Sequence, residues 1–311
     1  MDYIEGIGGW RFLDNDSNRS VDQYTGIRTL SSDELKDWVS FLIDAHRNNY
    51  ILMVAPAKEE VAPFLYPRKR AELTPIDQLL QLPEAKSILF PISELASQWS
   101  VTYGPLDTHW TDQGACIAAA AIARQLGAPT AALDSIPFAI FSREGDLGNK
   151  STPPLASLGF HFKEPPRAKF LAFDNGVPNH GRVWIFENKD APVNQRVAIF
   201  GDSFSINMAP ALSNIYRRVF YAHSAAQPDQ RILQMEKPDH VILQTNQRFI
   251  TTPPKANCDL LETIEAKLAQ FDEAARKEIL ARLIHRENSI TSNFLAHKVR
   301  ELHESLGQRE G

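Results

Sequence analysis

Apolar residues recur along this chain in two ways, as short continuous runs and as stripes at helical spacing, and the two alternate. The stretch LSSDELKDWVSFLIDAHRNN predicts a helix capped by Ser32, with Glu34 and Asp37 following and Leu35, Trp38 and Leu42 on one face. YILMVAP, residues 50–56, is a compact apolar run ended by proline, the pattern of a buried strand feeding a loop. Short helices are predicted over 75–83 and 90–98. TDQGACIAAAAIARQLG, residues 111–127, predicts a longer one with Thr111 as N-cap and Gly127 as its stop. VAIFGDSFSINMAPALSNIY (197–216) reads as strand, sharp turn and helix, and HVILQT (240–245) as a further strand.

Alternating strands and helices predict an α/β fold with a central, mostly parallel sheet flanked by helices. Residues 1–30 form a turn-rich start. Residues 128–190 are proline-rich, with β-like pieces RAKFLAF and RVWIF, and predict an irregular insertion or lid within a catalytic domain spanning 1–258. Two amphipathic segments, LLETIEAKLAQF and LARLIHRENSITSNFLAHKVRELHESL, predict a helical C-terminal appendage over 259–311.

Charge narrows the function classes. Lys and Arg total 33 against 38 Asp and Glu, so the chain projects no basic field and nucleic acid is not an expected partner. Cys116 and Cys258 are far apart and read as separate buried thiols. No His, Cys, Asp or Glu cluster has metal-ligand spacing, and GIGG lacks the helix that a phosphate loop requires, so neither metal nor cofactor is expected. The longest apolar run, residues 115–123, is too short to span a bilayer, and MDYIEGIGGWRFLDND has no signal-peptide pattern. A cytoplasmic location is expected for the sequence as written, or a periplasmic one for a trimmed mature form.

Two short stretches carry chemistry. In GDSF a strand ends in Gly-Asp-Ser and turns into a helix, which sets the Ser203 hydroxyl at the C-terminal edge of the sheet, beside a helix N-terminus and the serine's own N–H, both suited to an oxyanion. Ser203 is either a nucleophile or simply the N-cap of that helix. In DTHW, Asp107 and His109 stand at i and i+2, so in extended chain they share a side. The carboxylate can then take the Nδ1 proton and leave Nε2 as a base; the alternative is a capped turn and a scattered histidine. Around these, Lys58 and Tyr66 lie in the loop after YILMVAP, Tyr103 and Trp110 could stack on a sugar, and Arg248 could hold an anionic sugar or pair with Asp202. Asn207 and Asn246 are candidate oxyanion donors beside the Ser203 N–H.

Eight stretches in six groups, in order across residues 5–250, resemble the alginate O-acetyltransferase family (AlgJ and AlgX types), a branch of the SGNH hydrolases. They are GGWRFL (8–13) with QYTG (23–26), VAPAKEEV (54–61) with LYP (65–67), DTHWTDQGA (107–115), GDL (145–147), VAIFGDSF (197–204) and HVILQTNQRF (240–249). The resemblance implies an SGNH-hydrolase-like sandwich and a serine-dependent carbohydrate O-acetyltransferase or acetylesterase. Its triad would be Ser203, His109 and Asp107, in permuted chain order, with Lys58 on the family's P-x-K lysine. It also implies a glycan acceptor, an acetyl donor and, as one option, a membrane-bound acyl-transfer partner protein. A catalytically weak glycan-binding subunit is the alternative from another class. The family's E-x-x-E-R pattern departs here to Gln244, Gln247 and Arg248.

Overall fold

A computed structural model describes residues 3–309. The chain divides into two compact units, Met1–Glu164 with Thr245–Pro254, and Pro165–Gln244 with Lys255–Gly311.

The first unit opens with an antiparallel hairpin of β1 (Tyr3–Glu5) and β2 (Arg11–Leu13). Helix α1 (Ser32–Arg47) is capped by Ser31, one residue earlier than expected. The Ser31 hydroxyl accepts the Glu34 N–H (3.2 Å) and the Glu34 carboxylate accepts the Ser31 N–H (2.7 Å). That reciprocal box needs a Glu three residues after the cap, which selects Ser31. Trp38, Phe41, Leu42 and Ala45 bury one face of the helix. Strand β3 (Ile51–Ala55) follows, then α2 (Asp112–Gln125), where Thr111 caps the Gly114 N–H as expected and Gly127 ends the helix at φ +68°. β4 (Phe138–Glu144) and β5 (Ala156–Phe162) pair antiparallel from Phe138↔Phe162 to Glu144↔Ala156, so the first half of the expected insertion is a regular hairpin. Residues 245–254 complete this unit. The Trp38 indole donates to the Ile250 carbonyl (2.6 Å), Gln23 Nε2 to that of Arg248 (2.8 Å), and the Ala57 N–H to Gln247 Oε1 (3.0 Å).

The second unit holds β6 (Leu171–Asp174), β7 (Val183–Glu187), β8 (Val193–Gly201), α3 (Ser205–Leu212), β9 (Tyr216–His223), α4 (Gln230–Glu236) and β10 (His240–Asn246), the last running on into the first unit's Thr245–Pro254. It continues with α5 (Leu260–Leu268), α6 (Glu273–Ala281), β11 (Ile284–His285) and α7 (Ile290–Arg309). Its strands lie in the order β11-β6-β7-β9-β8-β10, antiparallel from β11 to β9 and parallel across β9-β8-β10. The parallel strands read as continuous apolar runs because residues 197–200, 219–222 and 241–243 are all buried.

Two boundaries differ from expectation. RAKFLAF and RVWIF are no lid: they supply β6 and β7, with Phe173, Val183, Ile185 and Phe186 fully buried in the sheet's core. The C-terminal helices are no appendage, since α7 packs on α4, α5 and α6 and β11 pairs with β6. The second long amphipathic segment breaks where Ile284 and His285 leave the helix to pair with Asp174 and Phe173. Arg218 on β9 ties these pieces together. Buried to 4% exposure, it donates to Glu236 (2.7 and 2.8 Å), Glu287 (2.5 and 3.0 Å), Ser289 (3.1 Å) and Glu187. Among the described residues no helix is long and apolar enough to cross a membrane.

Candidate active site

The DTHW turn lies in the first unit, closed at its base by a bridge between Tyr103 and Trp110. Asp107 Oδ1 accepts both the His109 backbone N–H and the ring Nδ1–H, each at 2.8 Å. Because an ionised carboxylate only accepts, the proton sits on Nδ1 and the lone pair on Nε2. Burial pushes the His109 pKa down, but the Asp107 bond, the Asp107 charge and Asp146 outweigh it and raise the imidazole above its ordinary value, with Arg248 opposing. Burial likewise pushes Asp107 up, while the His109 bond and charge and the Lys58 charge hold it below the usual carboxylate value.

Every carbonyl from Pro105 to Asp107 is engaged. Lys58 Nζ donates to Arg11 O (2.7 Å), Pro105 O (2.8 Å) and Asp107 O (3.1 Å), and the Leu147 and Gly148 N–H groups both reach Leu106 O at 3.1 Å. Asp146 grips the next residue, accepting from the Thr108 N–H (2.8 Å) and the Thr108 hydroxyl (2.5 Å), with Oδ2 3.9 Å from His109 Nδ1. Spacing along the chain could not find this group, since Asp146 arrives from the β4–β5 loop. Ligand-type atoms of Asp107, His109 and Asp146 lie within 4.8 Å of one another, a grouping that the spacing along the chain does not announce. The oxygens involved are already committed to His109 and Thr108.

The Ser203 turn lies in the second unit, at the end of β8. The helix that follows has Phe204 at its N-cap position, and the Asp202 carboxylate, not the Ser203 hydroxyl, takes the Phe204 N–H (2.9 Å). The Phe204 N–H is thus capped by Asp202. Gln244 Oε1 accepts from the Asp202 N–H (3.0 Å) and the Ser205 hydroxyl (2.6 Å), while Tyr221 OH donates to the Asp202 carbonyl (2.9 Å). Asp202 is thus pinned from β9 and β10, and Ser205 from β10. The glutamine that departs from the family's acid keeps a structural task here, and so does Gln247, bonded to Ala57 and Glu60.

Other candidates are placed differently from expectation. Lys58 is 3% exposed with three carbonyls on its ammonium, so it braces the turn and is no outward-facing arm. Burial pushes its pKa down to about 7, with Asp107, Asp146 and Glu59 pulling the other way. Tyr66 is packed between Phe12 and Tyr24, Tyr103 donates to the Pro56 carbonyl (2.6 Å), and Trp110 is 2% exposed. All three are core residues, and their faces are not offered to a sugar. Arg248 Nε lies 4.0 Å from Asp16 Oδ2, an acid the sequence reading did not name. The Asn246 side chain accepts the Arg248 N–H (3.1 Å), which uses its oxygen as a cap, and Asn207 sits half-buried in the first turn of α3.

No family profile matches the chain, and no curated protein matches it by sequence. Solved structures do. Bacillus cereus PatB1 with a sulfonyl adduct aligns over 81% of this chain and 100% of its own, at 13% identity and a TM-score of 0.57. A DHHW family protein from Eubacterium siraeum aligns over 81% and 95%, at 12% identity and 0.51. The O-acetyltransferase domain of Pseudomonas putida AlgJ aligns over 90% and 99%, at 14% identity and 0.45. At these identities the first two likenesses are ones of fold. The α/β fold expected from the sequence, a central sheet flanked by helices, is the fold observed.

Proposed function

We propose that this protein is a serine-dependent O-acetyltransferase acting on a bacterial polysaccharide or its glycan precursor. The observation that carries the reading is the Asp107–His109 hydrogen bond, which leaves Nε2 as the ring's basic nitrogen, taken with Ser203 on the turn between β8 and α3. Ser203 Oγ attacks the carbonyl carbon of an acetyl donor and gives its proton to His109 Nε2. The tetrahedral intermediate collapses, His109 returns the proton to the leaving group, and acetyl-Ser203 remains. A sugar hydroxyl then gives its proton to His109 and attacks the acetyl carbon, forming the new ester as the Ser203 oxygen departs and is reprotonated. The Ser203 N–H and the start of α3 favour the oxyanion. The reading requires Ser203 Oγ to come within hydrogen-bond reach of His109 Nε2 at proton transfer.

Support for the substrate class comes from the six groups of motifs that resemble the alginate O-acetyltransferases. The letters DHHW in the name of the Eubacterium siraeum relative match Asp107-Thr108-His109-Trp110 at three of four positions. An acetylesterase would use the same residues, with water in place of the sugar. Intact-mass spectrometry after brief exposure to p-nitrophenyl acetate tests the reading, with an oligosaccharide panel added second. Wild type is expected to gain about 42 Da, the mass of one acetyl group replacing a proton, and Ser203→Ala to gain none. Transfer of the label to a sugar marks a transferase and loss to water alone an esterase. A folded wild type that gains no mass and releases no p-nitrophenol returns the chain to a glycan-binding role.

A further inference from the structure

We propose that Asp146 is a positioning residue for His109, fixing the turn that carries the imidazole and setting a second negative charge beside it. This deepens the reading of His109 as the base and rests on it.

The geometry is that of a clasp. Residues 145–148 wrap residues 106–108 with four hydrogen bonds, two from Leu147 and Gly148 N–H to Leu106 O and two from Thr108 to the Asp146 carboxylate. The fit is close enough to dictate glycine at 145, where an added Cβ would stand 2.0 Å from Leu106 O and 2.8 Å from Asp107 Cβ. The clasp is itself anchored, because Arg11 Nη1 donates to Leu147 O (3.1 Å) and Ser151 Oγ (2.6 Å). Thr108 is 8% exposed and sits between the two dyad residues, so displacing it changes the Asp107–His109 geometry directly. Asp146 touches neither ring nitrogen at bonding distance; at 3.9 Å from Nδ1 it acts through charge and through the chain.

The charged groups around the imidazole are Asp107, Asp146 and Arg248, with Lys58 behind Asp107. Two carboxylates against two cations make an environment in which one carboxylate's loss is felt at the ring. Asparagine at 146 keeps an acceptor for the Thr108 N–H and removes the charge.

The test is the pH titration of the His109 ring by NMR in the full chain, wild type beside Asp146→Asn, with pH–rate profiles in parallel. Asp146→Asn is expected to move the His109 titration and the acid limb of kcat/KM to lower pH, and to lower kcat by about tenfold with KM unchanged. Asp146→Ala, which also releases the Thr108 N–H, is expected to lose up to about 100-fold in kcat. A folded Asp146→Asn protein with wild-type titration and profile overturns the proposal. Should that variant not fold, Thr108→Val carries the test, where an unchanged kcat overturns it and a roughly tenfold fall supports it. The ring titration needs no substrate, so it reads the role of Asp146 even if His109→Gln still forms acetyl-Ser203 and the base assignment falls.

Discussion

Lys58 and His109 set opposite pH signatures around one turn. The folded Lys58 pKa of about 7 lies below its ordinary 10.5, so between those values the unfolded chain holds the extra proton and stability rises with pH. Lys58→Met should abolish that rise, checked by denaturant midpoints at pH 7 and pH 9. It should also cost about 1–3 kcal/mol for each carbonyl left without a donor. His109 runs the other way. Its raised pKa contributes stability that is complete below its ordinary 6.5 and is lost as pH climbs through the folded value. Asp107, held low, contributes above its ordinary 3.8 and loses it as pH falls through the folded value. The i, i+2 spacing made this pair legible in the sequence, because the partners travel on one turn. Lys58 was legible as a loop lysine matching the family's P-x-K pattern but not as a brace, since nothing local reports that three carbonyls from Arg11, Pro105 and Asp107 will converge on it.

Among the elements, the strand–turn–helix at Ser203 depends on a close approach at its first residue. A Cβ at Gly201 would stand 2.2 Å from Ser205 Oγ and 2.8 Å from Gln244 Oε1, so Gly201→Ala must push apart the bonds that pin the turn. We expect a loss of about 1–3 kcal/mol in thermal or chemical unfolding, with acetyl-Ser203 formation slowed. Gln244→Leu should cost about 1–3 kcal/mol, since the Asp202 N–H and Ser205 hydroxyl lose their acceptor in a fully buried site. Strands β3, β8 and β10 and helices α1 and α2 could be read from pattern because each repeats its period long enough to show. The pieces that became β6 and β7 were legible as β-like but not as members of the central sheet, and β11, two residues long, is a strand only by its pairing with β6.

At the scale of the whole molecule, the Arg218 hub explains why the charged tail is part of the second unit. Its partners come from β7, α4 and the segment before α7, and all but Glu187 are nearly enclosed. Arg218→Ala strands Glu236 and Glu287 without a counter-charge and should cost about 3–5 kcal/mol. Hydrogen exchange is the discriminating measurement, with protection expected to fall first in α7. The amphipathic pattern predicted a helical appendage there, because the sequence shows the acids but not the single arginine on a distant strand that gathers them.

The passage of Thr245–Pro254 back into the first unit has a consequence for biosynthesis. A ribosome delivers Trp38, Gln23 and Ala57 well before the Ile250, Arg248 and Gln247 groups they bond. The intervening Pro165–Gln244 segment takes on the order of 10 s to make. Through that interval the unit bearing His109 lacks the segment that Trp38, Gln23 and Ala57 bond, so the second unit's sheet must be largely synthesised before the first unit is complete. A product stopped at residue 164 lacks the acceptors for Trp38, Gln23 and Ala57 and is expected to unfold at lower denaturant than the full chain.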